Sequence, residues 1–82
     1  MKTYLVVLWE YNSRNGLDII LHQFFFDKKK ARKRFNGVCK GIKEDLQNNV
    51  KYTKGTNYLN YSGKDDELGK IIGGSVLIEN KI

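Results

Sequence analysis

The chain has no proline, one cysteine, one histidine, one methionine and one tryptophan among its 82 residues. A lone cysteine cannot close a disulfide within the chain, which fits a reducing compartment, so a cytoplasmic location is expected. One cysteine and one histidine also leave zinc without a ligand set, and no other metal or cofactor motif is apparent, so none is expected. Long apolar runs are missing as well: the longest near the start, Tyr4 to Trp9, covers six residues, against the ~20 that a membrane helix needs. That run is rich in β-formers and no small-residue cleavage site follows it, so it does not read as a signal-peptide core, and no membrane partner is expected.

What is present is 40% hydrophobic and 29% charged, too apolar and too regularly patterned for a disordered chain. The length suits a single compact domain spanning residues 1–82, with a small core. Acid is absent from one stretch. Of fifteen basic and nine acidic residues, eight basic ones (Lys28, Lys29, Lys30, Arg32, Lys33, Arg34, Lys40 and Lys43) fall within residues 28–43, where there is no acid. The rest of the chain holds seven basic and nine acidic residues, a net of −2, so this segment supplies the whole of the +6 charge. A localised positive field steers polyanions or acidic protein surfaces.

Asn15-Gly16 between two apolar runs predicts a β-hairpin with a two-residue turn. That register pairs Arg14 with Leu17, Tyr11 with Ile20, Trp9 with His22, Val7 with Phe24 and Leu5 with Phe26. Directly paired residues share a face. The face carrying Leu5, Val7, Trp9, Tyr11, Ile20, His22, Phe24 and Phe26 is expected to form the core. The other face, with Tyr4, Val6, Leu8, Leu21 and Phe25 at its apolar end, is then left outward as a protein interface. A helix follows, capped by Asp27 and running to about Asn48. Its stripe of Ala31, Phe35, Val38, Cys39, Ile42 and Leu46 spans an arc of roughly 100°, with Gly37 and Gly41 on the far side; Asn36-Gly37 is an alternative break point. Lys54-Gly55 can turn a second hairpin that puts Val50, Tyr52, Leu59 and Tyr61 on one face and Lys51, Thr53, Tyr58 and Asn60 on the other. Ser62 to Glu67 reads as a polar loop, and Gly73-Gly74 as a turn or bulge in a last hairpin or bulged edge strand. The expected class is α+β: an N-terminal β-hairpin, one amphipathic basic helix, then two to four short strands, a ββαββ type with the helix on a mainly antiparallel sheet.

The run from Lys28 to Arg34 is the strongest functional signal. Cations in a helix's first turn oppose its dipole and repel one another at i, i+3 and i, i+4, so folding alone would place acids there. They suit phosphate or carboxylate binding, although a lysine-rich chain can also carry them as a solvated face. Tyr52, Tyr58 and Tyr61 interleave with lysines as base-stacking residues do, but the hairpin register assigns two of the three to the core. His22 is expected beside Trp9 at the core edge, and Cys39 as a buried, inert thiol. Ser13, Ser62 and Ser75 sit beside turn residues and lack the partner groups that nucleophilic work requires. Asp65-Asp66-Glu67 lacks the alternating spacing of a calcium loop, and Gly63-Lys64 and Gly69-Lys70 lack the rest of a phosphate-loop sequence.

No enzyme activity is expected. Two function classes remain. One is a small binding protein whose basic helix engages a polyanion, foremost a nucleic-acid backbone. The other is a protein-binding regulator or inhibitor, of the kind phages and mobile elements carry as accessory proteins. It would dock on an acidic or nucleic-acid-handling protein through the helix or the apolar sheet face. A homodimer formed through the sheet is compatible with both.

Overall fold

The computed structural model describes residues 2–45 and 50–81. Five antiparallel strands and one helix follow in the order β1 (Lys2–Asn12), β2 (Gly16–Phe25), α1 (Lys28–Asp45), β3 (Val50–Lys54), β4 (Tyr58–Asp65) and β5 (Gly69–Lys81). The strands form one sheet in the order β2-β1-β5-β4-β3. The α+β class is as expected, with three strands after the helix instead of the two of a ββαββ pattern.

Chain order explains where the helix lies. β2 and β3 are opposite edges of the sheet, so the segment joining them must cross its full width. Five strands at ~4.8 Å make a sheet about 24 Å wide. The helix has 18 residues and at ~1.5 Å each reaches about 27 Å, enough to cross one face and cover it. Ala31, Phe35, Val38, Cys39 and Ile42 turn toward the sheet and are buried, as their spacing predicts. Leu46 lies outside the described residues, as do the positions to Asn48 where the helix was expected to end. Asp27 is the N-cap: its Oδ1 accepts the Lys29 N–H at 2.9 Å and its carbonyl accepts the Ala31 N–H at 3.1 Å. Asn36-Gly37 does not break the helix.

The first hairpin turns through Ser13–Asn15, one residue longer than expected, with Asn12 opposite Gly16. The Asn12 Oδ1 accepts the backbone N–H groups of Arg14 (3.1 Å) and Asn15 (2.7 Å), which tightens the loop from within. Only Gly16 takes left-handed backbone there, with φ 80°. Further along, the register shifts between Leu8 and Trp9. Leu8 faces Leu21 and Trp9 faces Ile19, so Ile20 is the extra residue of a β-bulge.

The sheet is turned over relative to the sequence expectation. Tyr4, Val6, Leu59, Tyr61, Ile71 and Leu77 are buried beneath α1, with Leu8, Leu21, Phe25 and Val50 packed against them. The residues expected to form an outward protein interface (Tyr4, Val6, Leu8, Leu21 and Phe25) are therefore the monomer's own core. Leu5, Val7, Trp9, Tyr11, His22 and Phe24, expected inside, lie on the face away from the helix, where the register adds Leu17, Ile19, Tyr58, Ile72, Val76 and Ile78. From Tyr4 to Leu8 the groupings survive, because the expected and observed registers differ there by two and side chains alternate with period two. Between the bulge and the turn they differ by three, which carries Leu17 and Ile19 over to the Trp9 side. What inverted is which group meets the helix. Ile20 moved by its bulge, and lines the helix-side cleft with Leu8 and Ile42.

The C-terminal strands are longer than expected. β4 continues through the supposed loop to Asp65, and Asp65 Oδ1 closes the following turn by accepting the N–H groups of Glu67 (2.8 Å) and Leu68 (2.9 Å). β5 is neither a hairpin nor an edge: its 13 residues form the central strand, paired with β1 on one side and β4 on the other. Gly73 and Gly74 sit in its middle as strand residues. The Tyr61 ring crosses over Gly73 on the helix side, while Trp9 and Asn60 approach Gly74 on the other. The β3–β4 register opposes Lys54 to Leu59 and Tyr52 to Tyr61 across a wider turn than expected, again an even shift, so the two predicted faces hold.

Candidate polyanion-binding face

The eight cations of α1 share one element but three directions. At ~100° per residue, Lys29, Lys33 and Lys40 point opposite the buried stripe. Eleven residues separate the first from the last, so the row is about 16 Å long. Lys30 and Arg34 lean toward β2 and line an open cleft of about 390 Å³ with Gln23, Phe25, Lys33 and Gly37. Lys28, Arg32 and Lys43 lean toward the β3–β4 end.

That third group is partly engaged in the fold. The Arg32 guanidinium donates to the Thr56 carbonyl at 2.6 Å and to Asn57 Oδ1 at 2.5 Å, and lies over the Phe35 ring at 5.7 Å. It pins the helix to the β3–β4 turn. The Lys43 ammonium lies 5.4 Å from the centroid of the Tyr52 ring, a contact worth roughly 0.5–1 kcal/mol at an exposed site. The sequence placed all eight in one binding set. The structure brings Lys29, Lys30, Lys33, Arg34 and Lys40 together as exposed cations and gives Arg32 a packing role. The Lys2–Glu79 ion pair spans 3.0 Å, and Glu79 also lines a cleft with Lys28 and Arg32; no salt bridge among the described residues involves Lys29, Lys33 or Lys40.

Other residues weighed from the sequence sit elsewhere. His22 is exposed on the far face of the sheet, edge-on to Phe24 with ring centroids 5.2 Å apart, and not beside Trp9 within the core. Cys39 is buried beneath the helix, where desolvation pushes its thiol pKa up against the pull of Lys54, Lys43 and Arg32. Tyr61 is buried as expected, Tyr58 lies outward, and Tyr52 is on the helix side but half exposed. Asp65 is held below the usual carboxylate range by the backbone N–H groups of Leu68 and Glu67, a turn-forming arrangement. Among the described residues no three of His, Cys, Asp and Glu come together as a metal site, and no helix is long and apolar enough to cross a membrane.

Sequence reasoning anticipated an open apolar sheet face, since one helix can cover only one, but assigned it to the wrong residues. Both faces of the first hairpin are rich in apolar side chains, and the one expected inside is the one left open. Comparison with protein-family models, curated proteins and solved structures gives no match to this chain.

Proposed function

We propose that the protein binds nucleic acid through α1, gripping the phosphate backbone with Lys29, Lys33 and Lys40 at the centre and Lys30 and Arg34 at the flank. The observation that carries this reading is the exposed, acid-free row on a helix whose first turn holds three lysines and no carboxylate. Such a row is unfavourable for the isolated helix and becomes favourable when phosphates replace the missing acids. Backbone contact dominates, because the outward row is made of lysines, which act as point charges, and offers little of the bidentate chemistry that reads base edges.

Fluorescence anisotropy with a labelled duplex across a salt series tests it. The parent binds with a log–log salt slope of about −0.9 for each phosphate contacted. Reversal of Lys29, Lys33 and Lys40 to Glu removes binding while the circular dichroism spectrum is retained. A triple variant with the parent's affinity and slope refutes the proposal. The cleft that sets the Phe25 ring beside Lys30, Lys33 and Arg34 favours a second reading, an acidic protein segment with an apolar anchor. In that case the same variant loses a protein partner in nuclease-treated lysate while the parent shows no duplex affinity.

A further inference from the structure

We propose that the sheet face away from α1 is a homodimer interface, on which a second copy of this chain packs face to face.

The first argument is area. Seven large apolar side chains that the register places on this face are exposed by between 39% (Ile78) and 65% (Leu17). At ~200 Å² for a large side chain they present roughly 700 Å². Leu5, Val7, Trp9 and Val76 add to this. The largest apolar patch of an ordinary monomer is about 300–600 Å², whereas each partner in a standard interface contributes about 800 Å². The face exceeds the first figure and reaches the second.

The second argument is chemical. Among the described residues the face carries no carboxylate: Glu10, Asp18 and Glu79 all alternate to the helix side by register. Its cations, Lys51, Lys64 and Lys70, are confined to one end. A charged partner has little to match, and the aromatic rings of this face (Trp9, Tyr11, Phe24 and Tyr58) are interspersed with the aliphatic Leu17, Ile19, Ile72 and Ile78, a mixture that packs as a core does. An identical face complements it. A twofold axis lying across the strands sets the lysine end of one copy over the Thr3–Asn80 end of the other, so like charges stay apart. The two sheets then stack in the aligned manner of a β-sandwich, ~10 Å apart. The helices lie on the outside, with two basic faces pointing in opposite directions. Dimerisation is independent of what those faces bind.

Sedimentation velocity of the full chain from about 1 to about 100 μM tests the assembly. The expected result is a concentration-dependent doubling of the 9.5 kDa mass. Ile72→Glu and Ile78→Glu, both on β5, abolish the doubling with circular dichroism unchanged, whereas Lys33→Glu on α1 leaves it intact. Trp9, the sole tryptophan and a resident of this face, supplies a readout that needs no variant. Its emission shifts to the red, and its quenching by acrylamide rises, as the parent is diluted. A parent that keeps the monomer mass, with Trp9 quenching independent of concentration, overturns the proposal. So does a dimer that persists in both β5 variants. A monomer whose Trp9 emission is quenched by an oligothymidylate overturns it in favour of single-stranded nucleic acid on this face.

Discussion

Gly73 is the position where a single methyl group should do the most damage. It lies at the middle of the central strand, opposite Glu10 on β1 and Tyr61 on β4. A Cβ built there overlaps Cζ and the hydroxyl oxygen of Tyr61 and comes within 2.8 Å of the Trp9 carbonyl oxygen. The ring can swing away; the carbonyl belongs to a paired strand and cannot. Tyr61 is 6% exposed, and moving half of an aromatic side chain that buries 150–250 Å² returns about 100 Å² to water, or roughly 2.5 kcal/mol. Backbone overlap adds about 1 kcal/mol, and the alanine recovers roughly 0.5–1 kcal/mol of the conformational entropy that glycine loses on folding. The net loss for Gly73→Ala is about 2–3 kcal/mol, a fall in Tm of about 10–20 °C for a domain of this size. Thermal and urea melts followed by circular dichroism read it. In a Tyr61→Ala background the same change should cost about 2.5 kcal/mol less, because the ring term has gone. A Gly73→Ala protein that melts with the parent, or a double-mutant cycle without coupling, would refute the claim that glycine is there to admit the Tyr61 ring.

Three further outcomes follow from the core. The Ser75 hydroxyl is buried beneath the helix, with no hydrogen-bond partner among the described residues, so Ser75→Ala should raise stability by about 1 kcal/mol, read as an increase in Tm. Cys39 should react slowly with a thiol reagent in the native protein and rapidly in urea, since it is 1% exposed and its raised pKa withholds the thiolate; fast native labelling would contradict the helix phase. Burial, with a smaller contribution from Glu10, raises the Tyr61 pKa to about 12. The unfolded chain releases this proton near pH 10 and the folded one near pH 12. The folded state therefore binds more protons between these values, and stability is intact below pH 10 and falls as pH rises through that window. Two units correspond to roughly 2.7 kcal/mol, which solvent at the neighbouring cleft reduces to about 1–2 kcal/mol; Tyr61→Phe should show less of the fall in melts at pH 9 and 11.5.

The sequence by itself determined what is local or periodic. Asp27 caps α1 because its side chain reaches an amide two residues on, and the stripe from Ala31 to Ile42 is buried because a helix repeats every 3.6 residues. Alternation with period two likewise grouped Tyr4, Val6 and Leu8 together and Leu5, Val7 and Trp9 together, and no register shift of two residues disturbs such a grouping. The basic row was legible for the same reason: eight cations without an acid are a count, and the helix phase places them. Tertiary structure decided everything that depends on partners distant in the chain. Both faces of the first hairpin are apolar, so no amphipathic contrast marks the inner one; the helix marks it by crossing from β2 at one edge to β3 at the other. Gly73-Gly74 reads locally as a turn, because glycine pairs usually are, and becomes mid-strand only when β5 inserts between β1 and β4 and the Tyr61 ring needs the space. Arg32 left the binding row for a similar reason: its acceptors, the Thr56 carbonyl and Asn57, lie more than twenty residues away and reach it only once the β3–β4 turn has folded against the helix.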